Sequence, residues 1–464
     1  MSDDLNAMLD AYIAEHMDGW LAELKLLCAQ PSVSAQGLGI GECAALVAEM
    51  LRRRGVQAEV MPTGGHPVVY GEAQGSSPKT LLFYNHYDVQ PPEPLELWES
   101  PPFQLTQRDG RLYARGVSDD KGHIICRLAA LDAVRAIIGQ LPCHIKMLIE
   151  GEEEISSVSL PSFIAAHKDK LAADACLWES GGVNESGTPV QAAGMRGICY
   201  VELRARTGTL DAHSGLGGSI FPNAAWRLVW ALGTLKGPDE HIRIPGFYDN
   251  VVAATKRDLQ LLDMLPDESQ QWLERYGLEG FLGGLQGGLG LKRQAVFVPT
   301  CTICGLTAGY QGPGSKTVLP AEARAKVDFR LVPDQTPEEV VEKLRAHLDQ
   351  QGYADVEVAF LGGEAPGRVD PDHPFLKLVA EAARGVYDRD MLTRPMIGGS
   401  GPNHAFIEYL HVPIGWAGVS YPGSHTHAPN ENVRLELFER GIRHTARILV
   451  QFARQSHSSE QDRA

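Results

Sequence analysis

The chain has 464 residues, too many for one ordinary hydrophobic core, and the length points to roughly two domains. Its 42 lysines and arginines stand against 58 aspartates and glutamates, a formal charge of −16 that opposes binding to nucleic-acid phosphates or anionic membrane surfaces. No apolar run approaches the ~20 residues of a membrane helix, and the acidic, amphipathic start "MSDDLNAMLDAYIAEHM" lacks the basic and continuously apolar regions of a secretory signal.

In chain order, "KTLLFYNHYDVQ" predicts a buried strand that ends in polar residues, "DKGHIICRLAALDAVRAII" an amphipathic helix, and "CHIKMLIEGEEE" a second buried strand. Strand, helix, strand implies an α/β fold with a mainly parallel sheet, whose ligands gather at the carboxyl ends of the strands. After about residue 196 the texture changes to strands with polar alternation, "GICYVELRART", "VFVPTCTICGL" and "ARAKVDFRLVP", mixed with helical stretches. From about 371 helix, loop and strand resume. The expected organisation is one discontinuous domain, 1–195 and 371–464, with an α+β domain inserted at 196–370.

Several features are set aside. The eight cysteines are scattered along a chain with no export signal and read as reduced thiols in a cytoplasm. The one CxxC, Cys301 and Cys304, lies in a β-branched stretch and reads as small apolar filler of a strand. "GYQGPGSKT" resembles a phosphate-binding loop, but Ser315 separates Gly314 from Lys316 and a strand is expected to follow. The Gly-rich "GFLGGLQGGLGLKR" reads as a loop.

The chemistry concentrates in "EGEEEISS", where Glu150, Glu152, Glu153 and Glu154 crowd four carboxylates into five positions. Such a cluster requires a solvated face or a nearby cation. "NHYDVQ" offers His86 and Asp88, two apart and so on one face of an extended segment; alone, the pair fits a hydrogen-bonded surface contact as well. "RGVSDDKGH" offers Asp119 and Asp120 before a helix, where capping is the plain alternative. Taken together, strand ends carrying His, Asp and Glu suit Zn²⁺ or a similar divalent ion.

"NHYDVQP", "RGVSDDKG", "EGEEEISS", "DAHSGLGGS" and "HAPNENV" match, in order, the signature segments of the M20 family of dinuclear zinc peptidases. The chain most resembles its cytosolic nonspecific dipeptidase and carnosinase branch. That resemblance implies a dinuclear hydrolase domain with an inserted lid and dimerisation domain. It implies two divalent ions per subunit, zinc first with Mn²⁺ or Co²⁺ as substitutes, held by His86, Asp119, Glu154, Glu179 and His427. Asp88 would orient His86, a cis peptide would join Asp119 to Asp120, Asp119 would bridge the ions, and Glu153 would be the general base. Glu150 and Glu152 would be bystanders, solvated or bonded to backbone. His425 is the alternative to His427, lacking its Pro-Asn-Glu context. Glu179 departs from the aspartate of the dipeptidase branch and looks more like carboxypeptidase and N-deacylase members.

In the lid, His213 resembles a residue that reaches a neighbouring subunit's site and donates to the oxyanion, and Arg330 one that grips a substrate carboxylate. A capped loop histidine and a strand-end surface arginine are their plain alternatives. Ser400, in "GGSGPN", would act at the other end of the substrate. The expected function is hydrolysis of dipeptides or short peptides with a free carboxylate. N-acyl-amino-acid deacylation or carboxypeptidase action is the alternative, and a non-catalytic metal-binding scaffold a remote one. A homodimer acting on small peptides, without nucleic-acid or membrane partners, completes the expectation.

Overall fold

The computed structural model describes residues 3–455. The chain divides into two units, one of residues 1–193, 369–394 and 405–464, the other of residues 194–368 and 395–404.

The first unit is built on a six-stranded sheet in the order Gln57–Met61, Val68–Ala73, Cys143–Glu150, Ser77–His86, Ala175–Trp178, Ile414–Trp416. The last four strands run parallel, and the first two form an antiparallel edge. The central strands read as nearly continuous apolar runs because both faces are covered. The helix Lys121–Ile138 packs against the strand Ser77–His86 and against the helices Asp3–Ala29 and Leu435–Arg454. Thirteen of its residues are buried, including His123 and Arg127, so it is an interior helix rather than the amphipathic one expected. By contrast, Ile40–Arg53 buries Ile40, Cys43, Ala44, Val47 and Leu51, a single stripe at helical spacing.

The second unit carries a four-stranded antiparallel sheet, ordered Thr300–Ala308, Glu322–Leu331, Gly197–Arg206, Glu357–Glu364. Alternation decides its faces: Cys199, Val201, Leu203, Val327 and Phe329 are buried with Leu228, Leu235, Leu344 and Leu348 of the helices Ala224–Leu235 and Pro337–Gln350. Fully burying each such side chain contributes about 1.5–3 kcal/mol.

The segment 395–404, expected with the first unit, lies in the second. Met396 packs with Leu262 and Phe297, and Arg196 N–H donates to the carbonyls of Ile397 and Gly399. Apolar contact and backbone pairing, neither visible in the local sequence, make that assignment. The Gly-rich stretch is loop only in part, since Leu289–Phe297 is helical. Cys304 is exposed rather than filling the strand, because the register shifts between Ile303 and Gly305; Cys301 is buried. After the Gly-Ser-Lys stretch comes the strand Val318–Leu319, as expected of a decoy.

Candidate metal centre

Parallel strands deliver most of the site. Ser77–His86 ends on His86, Cys143–Glu150 runs into the 3-10 turn Glu153–Ile155, and Glu179 directly follows Ala175–Trp178. Asp119 stands just before the helix Lys121–Ile138, joined to Asp120 by a cis peptide, and His427 lies in the loop before Asn432–Arg434. One ligand atom from each of His86, Asp119 and Glu179 falls within 4.8 Å of the others, and so does one from each of Asp119, Glu154 and His427. Asp119 belongs to both groups: its Oδ1 is 2.9 Å from His86 Nε2 and its Oδ2 is 3.1 Å from His427 Nε2. His427 Nε2 is also 3.0 Å from Glu154 Oε2.

The charges around this point ask for a cation. Burial raises the carboxyls of Glu153 and Glu179 well above the usual range, and neighbouring carboxylates add to the rise. Burial likewise opposes charge on Asp119 and His86, but each stabilises the other's charged form, which holds Asp119 well below the usual range and His86 well above its own. Asp119 and Glu154 push His427 up to about 10. Protonated imidazoles are one source of the positive charge that the carboxylates require. Divalent ions are another, and two imidazoles with three carboxylates form a donor set of the kind that binds them.

The donor side chains are themselves held. Asp88 works in two directions: its carbonyl and its Oδ1 lie 3.1 and 3.3 Å from His86 Nδ1, and its carboxylate accepts the backbone N–H groups of Glu153 and Glu154. Nδ1–H therefore faces Asp88, and Nε2 points at Asp119, donating to it while the ring is protonated and free to accept a cation once the ring is neutral. Gln90, in the same motif as His86, donates from its side chain to Glu154 Oε2 at 2.9 Å and from its backbone to Glu154 Oε1 at 3.2 Å. Glu431 is buried and accepts four donors: Ser118 N–H and Asp119 N–H on Oε1, Gly116 N–H and the Arg115 guanidinium on Oε2. Neither Gln90 in "NHYDVQP" nor Glu431 in "HAPNENV" is among the residues that the sequence marks for the site.

Asp120 does not cap the helix that follows it. Its Oδ2 instead accepts Asn85 Nδ2 at 2.7 Å and His86 N–H at 3.1 Å, bonds that fix the end of the strand. Glu152 fits the expected bystander, accepting the N–H groups of His66 and Ser159. Glu150 is not solvated: it is buried under the hydroxyls of Tyr84 and Ser157, and burial pushes its carboxyl up to about 8.

The sequence pattern of Peptidase family M20/M25/M40 matches residues 82–451, most of the chain and all five strand-end and loop donors. The chain belongs to this family. Beta-Ala-His dipeptidase of Rattus norvegicus is 30% identical over 363 residues, covering 73% of this chain and 72% of that protein. The M20 family metallo-carboxypeptidase of Sulfolobus solfataricus overlays with a TM-score of 0.90 at 35% identity, over 94% of this chain and 99% of the other. Human carnosine dipeptidase 1 gives a TM-score of 0.81 at 26% identity, over 97% and 100%.

Three expected M20 site residues lie in the second unit. Arg330, at the end of its strand, donates from Nη1 to Ser400 Oγ at 2.8 Å, so these two are brought together. His213 is exposed; its Nδ1 accepts Gly215 N–H at 3.0 Å, the capped-loop geometry. With Nδ1 occupied as an acceptor, the neutral ring carries its proton on Nε2, 3.3 Å from Thr317 Oγ1.

Proposed function

We propose that this M20 peptidase hydrolyses dipeptides and short peptides that carry a free C-terminal carboxylate, using two divalent ions, zinc first. One ion would be held by His86, Asp119 and Glu179, the other by Asp119, Glu154 and His427. The observation that carries this reading is Asp119, whose two oxygens face two different donor groups. Relatives named for dipeptide hydrolysis support the substrate class. When bound, such ions polarise a carbonyl and make water acidic.

The remaining work falls to the chain. Glu153 belongs to neither donor group and stands beside Glu154, the place for a base that takes the proton of the attacking water and returns it to the leaving amine. Arg330 offers a planar fork for the substrate carboxylate, with Ser400 beside it. His213 offers Nε2–H as a donor to the developing oxyanion. We assign it to the site of a second copy, in a homodimer formed through the inserted unit. Support comes from apolar groups exposed on that unit: Trp226 and Trp230, both exposed and stacked at 5.7 Å, and Ile303 and Leu306 of the sheet-edge strand Thr300–Ala308.

Seven of the eight cysteines are buried and all are unpaired, which supports a reducing, cytoplasmic setting. No helix among the described residues is long and apolar enough to cross a membrane. Deacylation of N-acyl amino acids, suggested by Glu179, finds no support in the relatives described above, which are named dipeptidases and a carboxypeptidase.

A screen of dipeptides, tripeptides and N-acetylated amino acids with Zn²⁺, Mn²⁺ or Co²⁺ tests the proposal. Dipeptides should be cleaved fastest, and amidating the C-terminus should lower kcat/KM by roughly 10-fold or more, since a charge-assisted bond contributes about 1.5–3 kcal/mol. Preference for N-acetylated substrates, or equal rates on free and amidated peptides, would overturn it.

A further inference from the structure

We infer that Arg127 is a positioning residue for Glu179, assisted by His123; the inference rests on Glu179 being a metal ligand. Both side chains stand four residues apart on the helix Lys121–Ile138, hence on one face, and both are fully buried. From Nη2, Arg127 donates to the carbonyl of Trp178 at 3.0 Å and to that of Ala417. From Nη1 it donates to Thr445 Oγ1 at 2.7 Å. Trp178 is the last residue of its strand, and Glu179 follows it.

A buried guanidinium normally has a carboxylate partner, because an enclosed charge without one is costly. No carboxylate forms an ion pair with Arg127 among the described residues; its partners are two carbonyls and a hydroxyl. Those carbonyls sit where neighbouring parallel strands, Ala175–Trp178 and Ile414–Trp416, run off the sheet. Nη2 bonds both carbonyls while the rigid guanidinium plane fixes Nη1 on Thr445, so the orientation of Nη2 is set in a way that a lysine's single, freely rotating ammonium does not reproduce.

His123 holds the other end of the same segment. Its Nε2 accepts Val419 N–H at 3.1 Å, which places the proton of the neutral ring on Nδ1, 2.9 Å from Asp120 Oδ1 along a bent approach rather than an aligned bond. Between Ala417 and Val419 only glycine fits, since a Cβ on Gly418 would lie 2.4 Å from the Gly181 carbonyl oxygen and 2.5 Å from His123 Nε2. Ser420 N–H then donates to the Gly181 carbonyl, and Val183 N–H to the Ser420 carbonyl, both at 3.0 Å.

The backbone of Glu179 is thus gripped on both sides, directly by Arg127 at Trp178 and through residues 417–420 at Gly181. A glutamate reaches a metal through three side-chain torsions, so its aim depends on where its Cα is held. Removing the partners that orient a ligand typically weakens metal binding 10–100-fold.

The test titrates the metal-free protein with Zn²⁺ by calorimetry and counts retained ions after dialysis against a chelator. Arg127→Lys should weaken one of the two ions by about 10-fold or more and leave the other unchanged. Glu179→Gln should lose that same ion, and Thr445→Val, which removes only the bond remote from the site, should keep both. Should Arg127→Lys fail to fold by circular dichroism, His123→Gln takes its place and must weaken the same ion at least about threefold. Glu179→Gln binding both ions at wild-type affinity would refute the metal-ligand reading itself. Glu179→Gln losing one ion while the Arg127 or His123 variant keeps both, or Thr445→Val weakening the ion as much as they do, would overturn the positioning role.

Discussion

The two donor groups share Asp119 and differ in how their histidines are held. His86 ends a central strand, is wholly enclosed, and has its second nitrogen engaged by Asp88. His427 rides on a loop with its side chain 53% exposed and its backbone at φ 62°, the left-handed region that non-glycine residues rarely occupy. A parallel sheet sets ligands firmly at its own strand ends, whereas a ligand brought in by a loop needs a separate anchor. Glu431, four residues after His427, is that anchor: it ties the loop to the Arg115–Asp119 turn.

The comparison would break first at Glu153, assigned to neither group. Glu153→Gln should retain both ions and lose about 10²–10⁴ in kcat, the usual range for a general base. Metal analysis showing a lost ion would place Glu153 inside a donor group. Mixing this variant with His213→Ala under subunit exchange should restore activity if sites are completed by a partner; none recovered despite exchange would remove that role.

Glu431→Ala tests the anchor and should destabilise the metal-free protein by about 3–5 kcal/mol in denaturant unfolding, because the buried Arg115 is left without its partner. A loss under about 1 kcal/mol would mean the loop is held by other contacts.

A control away from both groups is His444, buried with Nε2 against the Val379 carbonyl and held down to about 4 by burial. The unfolded chain protonates this ring near its ordinary value of 6.5, while the folded one resists until about 4. Stability should therefore fall as pH drops from about 6.5 to about 4 and level off below, by at most about 3 kcal/mol from this group. His444→Gln should flatten that part of the wild-type pH profile; an unchanged slope would rule the group out.

The finest contrast sets His86→Ala against His427→Ala without metal. The first removes a fully buried ring, leaves buried Asp88 and partly buried Asp119 each short of a partner, and should cost about 1–3 kcal/mol. The second removes a half-exposed ring that pairs with Asp119 and Glu154 and should cost less, about 1 kcal/mol or under. Equal costs would erase the distinction between strand-borne and loop-borne ligands.

How much of this was legible in the sequence follows from what each residue touches. The donors stand out because their types are rare together and their motifs end apolar strands. Gln90 and Glu431 do not: one bonds a ligand already counted, the other bonds mostly backbone N–H groups about 310 residues away, and backbone donors carry no sequence signal. His123 and Arg127 were hidden in a helix that looked amphipathic, where a buried arginine passes for a surface one. The motif around Ser400 points to a site residue, yet its membership of the second unit depends on packing at Met396. The alternation of the strands around residues 197–206 and 322–331 was plain, because period two along a half-covered sheet is written residue by residue.

Glu431 and His427 lie within the last forty residues of a 464-residue chain, while the turn they complete is made near residue 119. During synthesis, more than three hundred residues must emerge before the second donor group has its histidine and the Asp119 turn its clamp. A product truncated anywhere before residue 427 lacks both. On the proposed roles, a prematurely terminated chain would carry the first donor group but neither the histidine of the second nor its clamp, and should not hydrolyse peptides.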